Sequence, residues 1–242
     1  MRLTRTSART GAITAAIGTL VGGALLTAPA TQATPLVRPV SATGTYAVAS
    51  SSLQGGDPIP GSTYRCTIGF NVRNSSNVYY FLTSRRCGVS VGYVFYTDSS
   101  RTQVLGTTVG ISPADKDYAL VRYATGITPP GTVDVYNGTS HDITSAADAF
   151  VGEAVKRSGS TTGVRSGSVT AVNATVSYAE GTLRGMIKTN ICSEGGDAGG
   201  PLFDGAKAIG LASSATGNCS AGGTTYFQPV TEPLAVYGVN VY

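Results

Sequence analysis

Gly195-Gly196-Asp197-Ala198-Gly199-Gly200-Pro201 is the most informative stretch of this sequence. Its glycines allow backbone conformations that a side chain would forbid. Successive N–H groups can therefore turn toward one point, which is the requirement of an oxyanion hole. The stretch predicts an anion-binding backbone loop with an alanine, Ala198, at its centre.

The remainder of the chain has the composition of an all-β protein with many tight turns. It contains 32 Gly, and only 12% of its residues are charged. Short β-type runs lie between turn residues at Arg65–Val72, Val78–Thr83, Gln103–Val109, Tyr118–Tyr123, Val169–Tyr178 and Gly185–Ile191. One short helix is predicted around Thr231–Tyr237, with Thr231 as its cap. Many short strands without intervening helices favour antiparallel sandwiches or barrels.

The N-terminus has the organisation of a secretory signal. Arg2, Arg5 and Arg9 are followed by an apolar stretch, Ala12–Leu26, and then by small residues up to Ala33. Because the stretch is too short for a comfortable membrane span, it predicts export of the protein and no membrane association. Residues 34–52 are small, polar and proline-containing, and predict a flexible leader.

Removal of residues 1–33 changes the charge of the chain. The full sequence has 17 Lys+Arg against 13 Asp+Glu, and three of the arginines lie in the signal. The exported protein would therefore carry 14 bases and 13 acids. A nucleic-acid partner would normally require a basic cluster, so this near-neutral balance argues against one.

Four cysteines, Cys66, Cys87, Cys192 and Cys219, predict two disulfides in an exported chain. Counting alone allows three pairings, and the spacing favours Cys66–Cys87 with Cys192–Cys219. A zinc site would need CxxC pairs or several histidines. Since the chain has one His in total, no metal site and no cofactor are expected.

The motif GDAGGP differs in one residue from the GDSGGP of chymotrypsin-like serine peptidases. From about Leu53 to Tyr242 the chain resembles the bacterial streptogrisins, with similar runs at Gly159–Gly163 (GSTTG) and Gly217–Glu232 and the ending YGVNVY. The resemblance implies two six-stranded antiparallel β-barrels, at residues 53–140 and 141–242, with an active site between them. It also favours a monomer.

Carried over residue by residue, the resemblance puts the catalytic triad in doubt. Ala198 stands at the position of the nucleophilic serine, and Arg86 at that of the histidine base. An arginine stays protonated at any working pH and cannot accept the proton. Only the acid, Asp117, is retained, and Arg86 is expected to form a charge-assisted pair with it. The single histidine, His141, lies outside the family motif and is interpreted as a surface or interbarrel residue and not as the catalytic base.

The rest of the binding machinery is expected to persist. Backbone N–H groups of Gly196 and Ala198 would form the oxyanion hole, and Asp197 would pair with a buried Arg157. The segment Ser213-Ser214-Ala215 replaces the Ser-Gly-Gly of the family. Side chains at the mouth of the specificity pocket predict that it is narrowed, suited to small side chains or to none.

Two functional hypotheses follow. The first is a secreted, proteolytically inactive peptidase homologue that binds a peptide, a peptidase inhibitor or a host protein. The second is an active hydrolase with displaced chemistry, for example through Ser193 or Ser213, although no evident base accompanies either hydroxyl. The joint loss of serine and histidine, in a chain with its signal intact, fits natural divergence better than a designed substitution.

Overall fold

Short strands dominate the structure, as the frequent turn residues predict. The computed structural model describes residues 33–36, 38–39, 53–60, 64–98, 100–178 and 181–242. The strands before residue 150 are β1 (Thr34–Pro35), β2 (Arg38–Pro39), β3 (Tyr64–Arg65), β4 (Asn71–Arg73), β5 (Tyr79–Thr83), β6 (Val94–Tyr96), β7 (Val104–Ile111), β8 (Ala119–Tyr123), β9 (Thr132–Asp134), β10 (Ser140–Asp142) and β11 (Ser145–Ala146). Those after it are β12 (Ala154–Gly159), β13 (Gly163–Tyr178), β14 (Gly181–Thr189), β15 (Pro201–Asp204), β16 (Lys207–Asn218) and β17 (Gly222–Pro229), followed by the helix α1 (Thr231–Tyr237).

The first half of the chain forms an antiparallel five-stranded sheet in the order β4-β5-β8-β7-β6. Aromatic side chains fill its interior, because large rings bury the most apolar area per residue. The ring centroid of Phe81 lies 5.1 Å from that of Tyr123 and 6.1 Å from that of Phe95. The Tyr123 hydroxyl donates a 2.7 Å hydrogen bond to Asn71 Oδ1, which satisfies its buried polar end.

The second half forms a larger sheet in the order β1-β16-β15-β12-β13-β14-β17, with β11 added beside β16. Strands β16 and β17 are also paired with each other, so the sheet closes on itself. The all-β class and the C-terminal helix are thereby confirmed. The strand numbers differ from the predicted six and six. The described residues give five strands in the first sheet and eight in the second, and one of the eight, β1, comes from the leader. Two further pairs, β2-β3 and β9-β10, lie outside both sheets.

One apolar cluster joins the two sheets. Phe70 and Leu82, from the first half of the chain, belong to the same buried cluster as Phe203 and Leu211 from the second half. At the far end of the chain, Asn240 pairs with Arg73 at the edge of the first sheet. The shared core fixes the position of one sheet relative to the other, and therefore the shape of the cleft between them.

Each half contains one disulfide. Cys66 is bonded to Cys87, with Cα atoms 5.9 Å apart, and Cys192 to Cys219, with Cα atoms 5.1 Å apart. The pairing favoured by the sequence spacing is confirmed. Both bonds lie beside segments that build the cleft, since Cys87 follows Arg86 and Cys192 precedes the Gly195–Pro201 loop.

The helix α1 has the predicted bounds but not the predicted cap. Val230 is the N-cap residue, and no side chain caps the helix. The hydroxyl of Thr231 instead donates to Asp148 Oδ1 at 2.6 Å. Thr231 was predicted as the cap from its residue type alone, and it lies one residue too late to fill that position. Gly238, with φ of 61°, ends the helix in the left-handed conformation that favours glycine.

The N-terminal predictions are affected differently. The signal sequence lies almost wholly outside the described residues, which begin at Ala33. Of the leader, residues 34–36 and 38–39 are described, and they form strands β1 and β2 instead of a loose segment. Within the described part of the chain, no helix has the length and apolar character needed to cross a membrane.

Candidate functional site

The Gly195–Pro201 loop is held in shape by the side chain of Asp197. This carboxylate is fully buried and accepts backbone hydrogen bonds from Thr161 (3.0 Å), Thr162 (3.1 Å) and Glu194 (2.9 Å). The Thr162 hydroxyl adds a fourth donor, at 2.7 Å. So many donors around one carboxylate fix the direction of the loop backbone on either side of it.

The counterion of Asp197 is Arg157, on strand β12. Its Nη1 lies 3.3 Å from Asp197 Oδ2, and both side chains are inaccessible to solvent. The guanidinium also donates to the Cys192 carbonyl at 2.9 Å and to the Gly163 carbonyl at 3.2 Å. Burial lowers the pKa of Arg157, and the charge of Asp197 opposes that shift. The structure thus brings together the two residues that the sequence predicted as an ion pair.

Glycine is required at position 196 by both conformation and space. Its φ is 113°, a value that residues with a side chain rarely adopt. A Cβ placed there would collide with the hydroxyl of Thr161. In this conformation the Gly196 N–H points out of the loop and donates to the Leu36 carbonyl at 2.6 Å. The predicted oxyanion donor is therefore engaged by a backbone carbonyl of the leader.

The leader runs through the cleft as an extended strand. Thr34 and Pro35 pair antiparallel with Ala215 and Ser214 on strand β16. The next N–H, that of Leu36, donates to the Ser213 carbonyl at 3.3 Å. The three residues predicted to line the substrate cleft thus pair with this segment through their backbone.

The side chain of Leu36 occupies an apolar site beside the loop. Only 3% of Leu36 is exposed, and it belongs to the buried cluster that contains Ala198, Ala212 and Ala215. The sequence predicted a pocket narrowed to small side chains or to none. This narrowing stays a prediction, and the same buried cluster contains both the Ala215 and the Leu36 side chains.

On the other side of the loop, the leader contacts the first half of the chain. Arg38 and Pro39 pair antiparallel with Arg65 and Tyr64. Leader residues 34–36 therefore lie along the larger sheet, and residues 38–39 lie along strand β3. Sequence analysis missed this arrangement. A usable signal was present, because Thr34 and Arg38 each precede a proline, and a residue before proline is restricted to extended conformations.

Asp117 lies between the two halves of the site. The Arg85 N–H donates to its Oδ1 at 2.7 Å, and Ser213 hydrogen-bonds its carboxyl group. The backbone N–H of Asp117 donates to Gln228 Oε1 at 3.0 Å. Burial raises the pKa of Asp117, although the hydrogen bonds and the positive charges of Arg86 and Arg85 act in the opposite direction.

Arg86 follows the segment that contacts Asp117. Its guanidinium carbon lies 6.0 Å from the centre of the Tyr178 ring, within the range of a cation–π contact. Its charge also lowers the pKa of Asp117. Because burial outweighs this effect, Arg86 compensates the carboxylate only in part, and the predicted charge-assisted pair remains a prediction.

His141 lies on a separate hairpin formed by β9 and β10, opposite Val133. Its ring centroid is 5.5 Å from that of Phe203. The expectation that this histidine is not the catalytic base stays a prediction. Among the described residues, no group of three or more His, Cys, Asp or Glu side chains is arranged to hold a metal ion.

Comparison with known proteins places this site in a family. The family model described as Trypsin matches residues 54–236. The chain belongs to the trypsin family. It is 47% identical over 190 residues to streptogrisin-A of Streptomyces griseus, which covers 78% of this chain and 61% of that protein. It is 46% identical over 189 residues to glutamyl endopeptidase 2 of the same organism, which covers 78% of this chain and 98% of that protein.

The lengths of these relatives differ from that of the chain. The matched part spans about three fifths of streptogrisin-A and about half of streptogrisin-D. Among solved structures, a glutamic-acid-specific serine protease superposes with a TM-score of 0.73 at 46% identity, covering 78% of this chain and all of the other. A Cellulomonas bogoriensis chymotrypsin superposes with a TM-score of 0.70 at 40% identity, covering 79% and 98%.

The glutamic-acid-specific protease is described as using a histidine triad in substrate binding. This trypsin-family chain has one histidine in its whole sequence, and that residue packs against Phe203. It cannot reproduce a set of three histidines. Similarity in fold therefore does not carry that mode of substrate recognition to this protein.

Proposed function

We propose that this protein is a secreted serine-peptidase homologue that binds a peptide or protein partner and does not hydrolyse peptide bonds. The observation that carries the proposal is Ala198 at the centre of the Gly195–Pro201 loop, directly after the buried Asp197. A methyl group has no lone pair with which to attack a carbonyl carbon. Arg86, at the expected position of the base, keeps its proton at working pH.

The binding part of the site supports a binding function. The Gly196 N–H is already in hydrogen-bond contact with a carbonyl, and β16 accepts an extended strand at Ser214 and Ala215. A surface that pairs with an extended chain in this way is suited to peptides and to inhibitor loops. The partner classes that follow are a peptide, a peptidase inhibitor held as a decoy, or a host protein.

Secretion is part of the same proposal. The N-terminal sequence has the charge and apolar pattern of an export signal, and the two disulfides are of a kind that persists in oxidising environments. Disulfides in a reducing cytosol would be exceptional for a chain of this class.

The alternative, a hydrolase with displaced residues, gains no support from the hydroxyls that it needs. Ser193 is buried and accepts a hydrogen bond from the Thr225 hydroxyl at 2.9 Å. Ser213 is also buried and hydrogen-bonds Asp117. A hydroxyl requires a neighbouring base before it can act as a nucleophile. The carboxyl group of Asp117 contacts Ser213, but it also accepts the Arg85 N–H, and both side chains are buried. His141 packs elsewhere, against Phe203.

The experiment compares the exported protein with the double variant Arg86→His/Ala198→Ser on a panel of chromogenic peptide and ester substrates. In a serine-peptidase triad, loss of the nucleophile or the base alone lowers kcat by about a million-fold. We therefore expect no measurable hydrolysis by the native protein and measurable hydrolysis by the double variant.

Each single variant, Arg86→His and Ala198→Ser, serves as a matched control that lacks one member of the triad. Hydrolysis by the native protein that survives repurification and is insensitive to changes at position 198 would overturn the proposal. Binding is then measured with the native protein, because an inactive homologue needs no inhibitor to keep a peptide intact.

A further inference from the structure

The leader segment has the contacts of a bound peptide. Its strand β1 extends the larger sheet by antiparallel pairing with Ala215 and Ser214, and Leu36 continues the ladder to Ser213. The Leu36 carbonyl then accepts the Gly196 N–H at 2.6 Å, inside the loop predicted to hold an oxyanion. Main-chain pairing at a sheet edge supplies affinity, while side-chain pockets supply selectivity.

One leader side chain is inserted into the protein. Leu36 is 3% exposed and belongs to the buried cluster that contains Ala198. Thr34, two residues earlier, is exposed. The segment is therefore anchored by the apolar side chain of Leu36, and the side chain of Thr34 does not contribute to this anchor.

The segment also continues past the loop. Arg38 and Pro39 pair with Arg65 and Tyr64 on strand β3. The carbonyl of Leu36 is thus held at Gly196. The residues before Leu36 pair with the larger sheet, and Arg38 and Pro39 pair with strand β3. A peptide held on both sides with its carbonyl at the anion-binding loop has the position of a substrate before cleavage.

We propose that leader residues 34–36 and 38–39 are a tethered ligand that occupies the peptide-binding cleft and controls access to it. The external ligand of the same cleft is an extended peptide with leucine, or an aliphatic residue of similar size, at the position of Leu36. This inference rests on the proposed absence of hydrolysis, because a working peptidase would cut the segment after Leu36.

Because the leader is covalently joined to the protein, it competes with free peptides for the cleft. A ligand joined to its own binding site has a high effective concentration, so it lowers the apparent affinity of any free peptide for that site. The apparent dissociation constant equals the intrinsic one divided by the fraction of molecules with an open cleft. A change that releases the leader should therefore tighten the binding of a free peptide without altering the cleft.

The test uses the exported protein and the variant Leu36→Asp, which places a carboxylate in the apolar site and should release the leader. Thr34→Asp is the matched control, because it adds the same charge two residues away at an exposed position. The probe is a fluorescent peptide of sequence Ala-Thr-Pro-Leu-Val-Arg-Pro. The control probe replaces its leucine with aspartate.

We expect Leu36→Asp to bind the leucine probe about tenfold or more tightly than the native protein does, an amount consistent with a closed fraction above nine tenths. Thr34→Asp should bind it as the native protein does, and the aspartate probe should bind to none of the three. Equal affinity of the leucine probe for Leu36→Asp and the native protein would overturn the tethered ligand, as would equal binding of both probes.

Hydrogen exchange of the unmodified protein provides a measurement that depends on no variant. The amides of Leu36 and Gly196 should exchange slowly, because each donates within the cleft. Exchange of the Leu36 amide at the rate of a free peptide would overturn the inference. Intact mass separates the two proposals, since a native N-terminus at Val37 would indicate hydrolysis and contradict the proposed function itself.

Discussion

The Gly195–Pro201 loop and the Thr83–Cys87 segment border the same cleft, but the fold constrains them to different degrees. The loop depends on its backbone, which Asp197 fixes through four hydrogen bonds and the ion pair with Arg157. In the segment, the backbone is also fixed, since the Arg85 N–H donates to Asp117. Its two arginine side chains lie nearer to solvent: Arg85 is exposed, with Nε donating to the Ser112 carbonyl at 3.1 Å, and Arg86 is partly exposed beside the Tyr178 ring.

Under the proposed function, this difference explains which parts of a catalytic site a fold retains once catalysis is no longer selected. An anion-binding loop made of N–H groups is maintained by the same contacts that stabilise the protein. A nucleophile or a base is a side chain whose loss the fold tolerates. A methyl at Ala198 is fully buried and packs among apolar neighbours, so the substitution leaves no unpaired polar group.

The largest expected effect comes from breaking the support of the loop. Arg157→Ala removes one member of a fully buried ion pair and leaves the charge of Asp197 without its counterion. We expect the free energy of unfolding to fall by about 3–5 kcal/mol, the range for an uncompensated buried charge. Denaturant unfolding monitored by fluorescence or circular dichroism measures it.

The control for that prediction is Lys207→Ala at the surface pair Lys207–Asp204, where the atoms are closer, at 2.7 Å, but both side chains are largely exposed. Solvent screens such pairs, so the stability should be close to unchanged. An effect of similar size in the two variants would contradict the claim that burial gives the loop its rigidity.

A smaller effect is expected from Gly196→Ala. The positive φ of 113° and the collision with Thr161 both oppose a Cβ there, and we expect a loss of about 2–3 kcal/mol. Gly222→Ala is the matched control, because its φ of 93° is also positive but no atom lies within 4 Å of the added Cβ. It should cost about 1 kcal/mol. Equal losses would show that conformation alone, and not the close approach of Thr161, determines the cost.

The smallest effect concerns Asp117 and is visible mainly in its pH dependence. Burial raises the pKa of Asp117 above its ordinary 3.8, so the folded state binds this proton more tightly than the unfolded chain does. Stability should therefore be greatest below about pH 4 for this group and decrease as pH rises through the folded pKa. Asp117→Asn should remove that decrease and change neutral-pH stability by no more than about 1 kcal/mol.

Arg86→Gln sharpens the same prediction. Its charge lowers the pKa of Asp117, so removal should raise that pKa and enlarge the decrease in stability with pH. In the Asp117→Asn background, Arg86→Gln should have no such effect. Any pH-dependent change that persists in that background would assign the action of Arg86 to another group.

The sequence predicted most of the architecture because turn residues and β-type runs are local signals. Val78–Thr83 and Tyr118–Tyr123 were each predicted within one residue of the observed strands. Arg65–Val72 was predicted as one strand and is divided into β3 and β4. The cause is tertiary, since Thr67 and Ile68 donate to the carbonyls of Ala198 and Asp57 instead of to a neighbouring strand.

The Gly195–Pro201 loop and its ion pair were predicted through motif resemblance. The leader was predicted as a flexible segment, and its pairing in the cleft was not predicted. Small, polar and proline-containing residues indicate flexibility by composition. The leader is ordered by strand pairing with the backbone of residues 213–215, about 180 positions further along the chain. No periodicity within seven residues can encode such a partner. The two X-Pro pairs restricted its conformation but not its destination.

The pairing of Asn240 with Arg73 sets the order in which the protein can be completed. Val239 packs in the same core as Phe70 and Val72, so the first sheet receives part of its apolar interior from a segment more than 160 positions further along the chain. The strands of the first half alone would leave that part of the interior exposed to water. We therefore expect the first sheet to complete its packing only after the segment that contains Val239 and Asn240 has been synthesised.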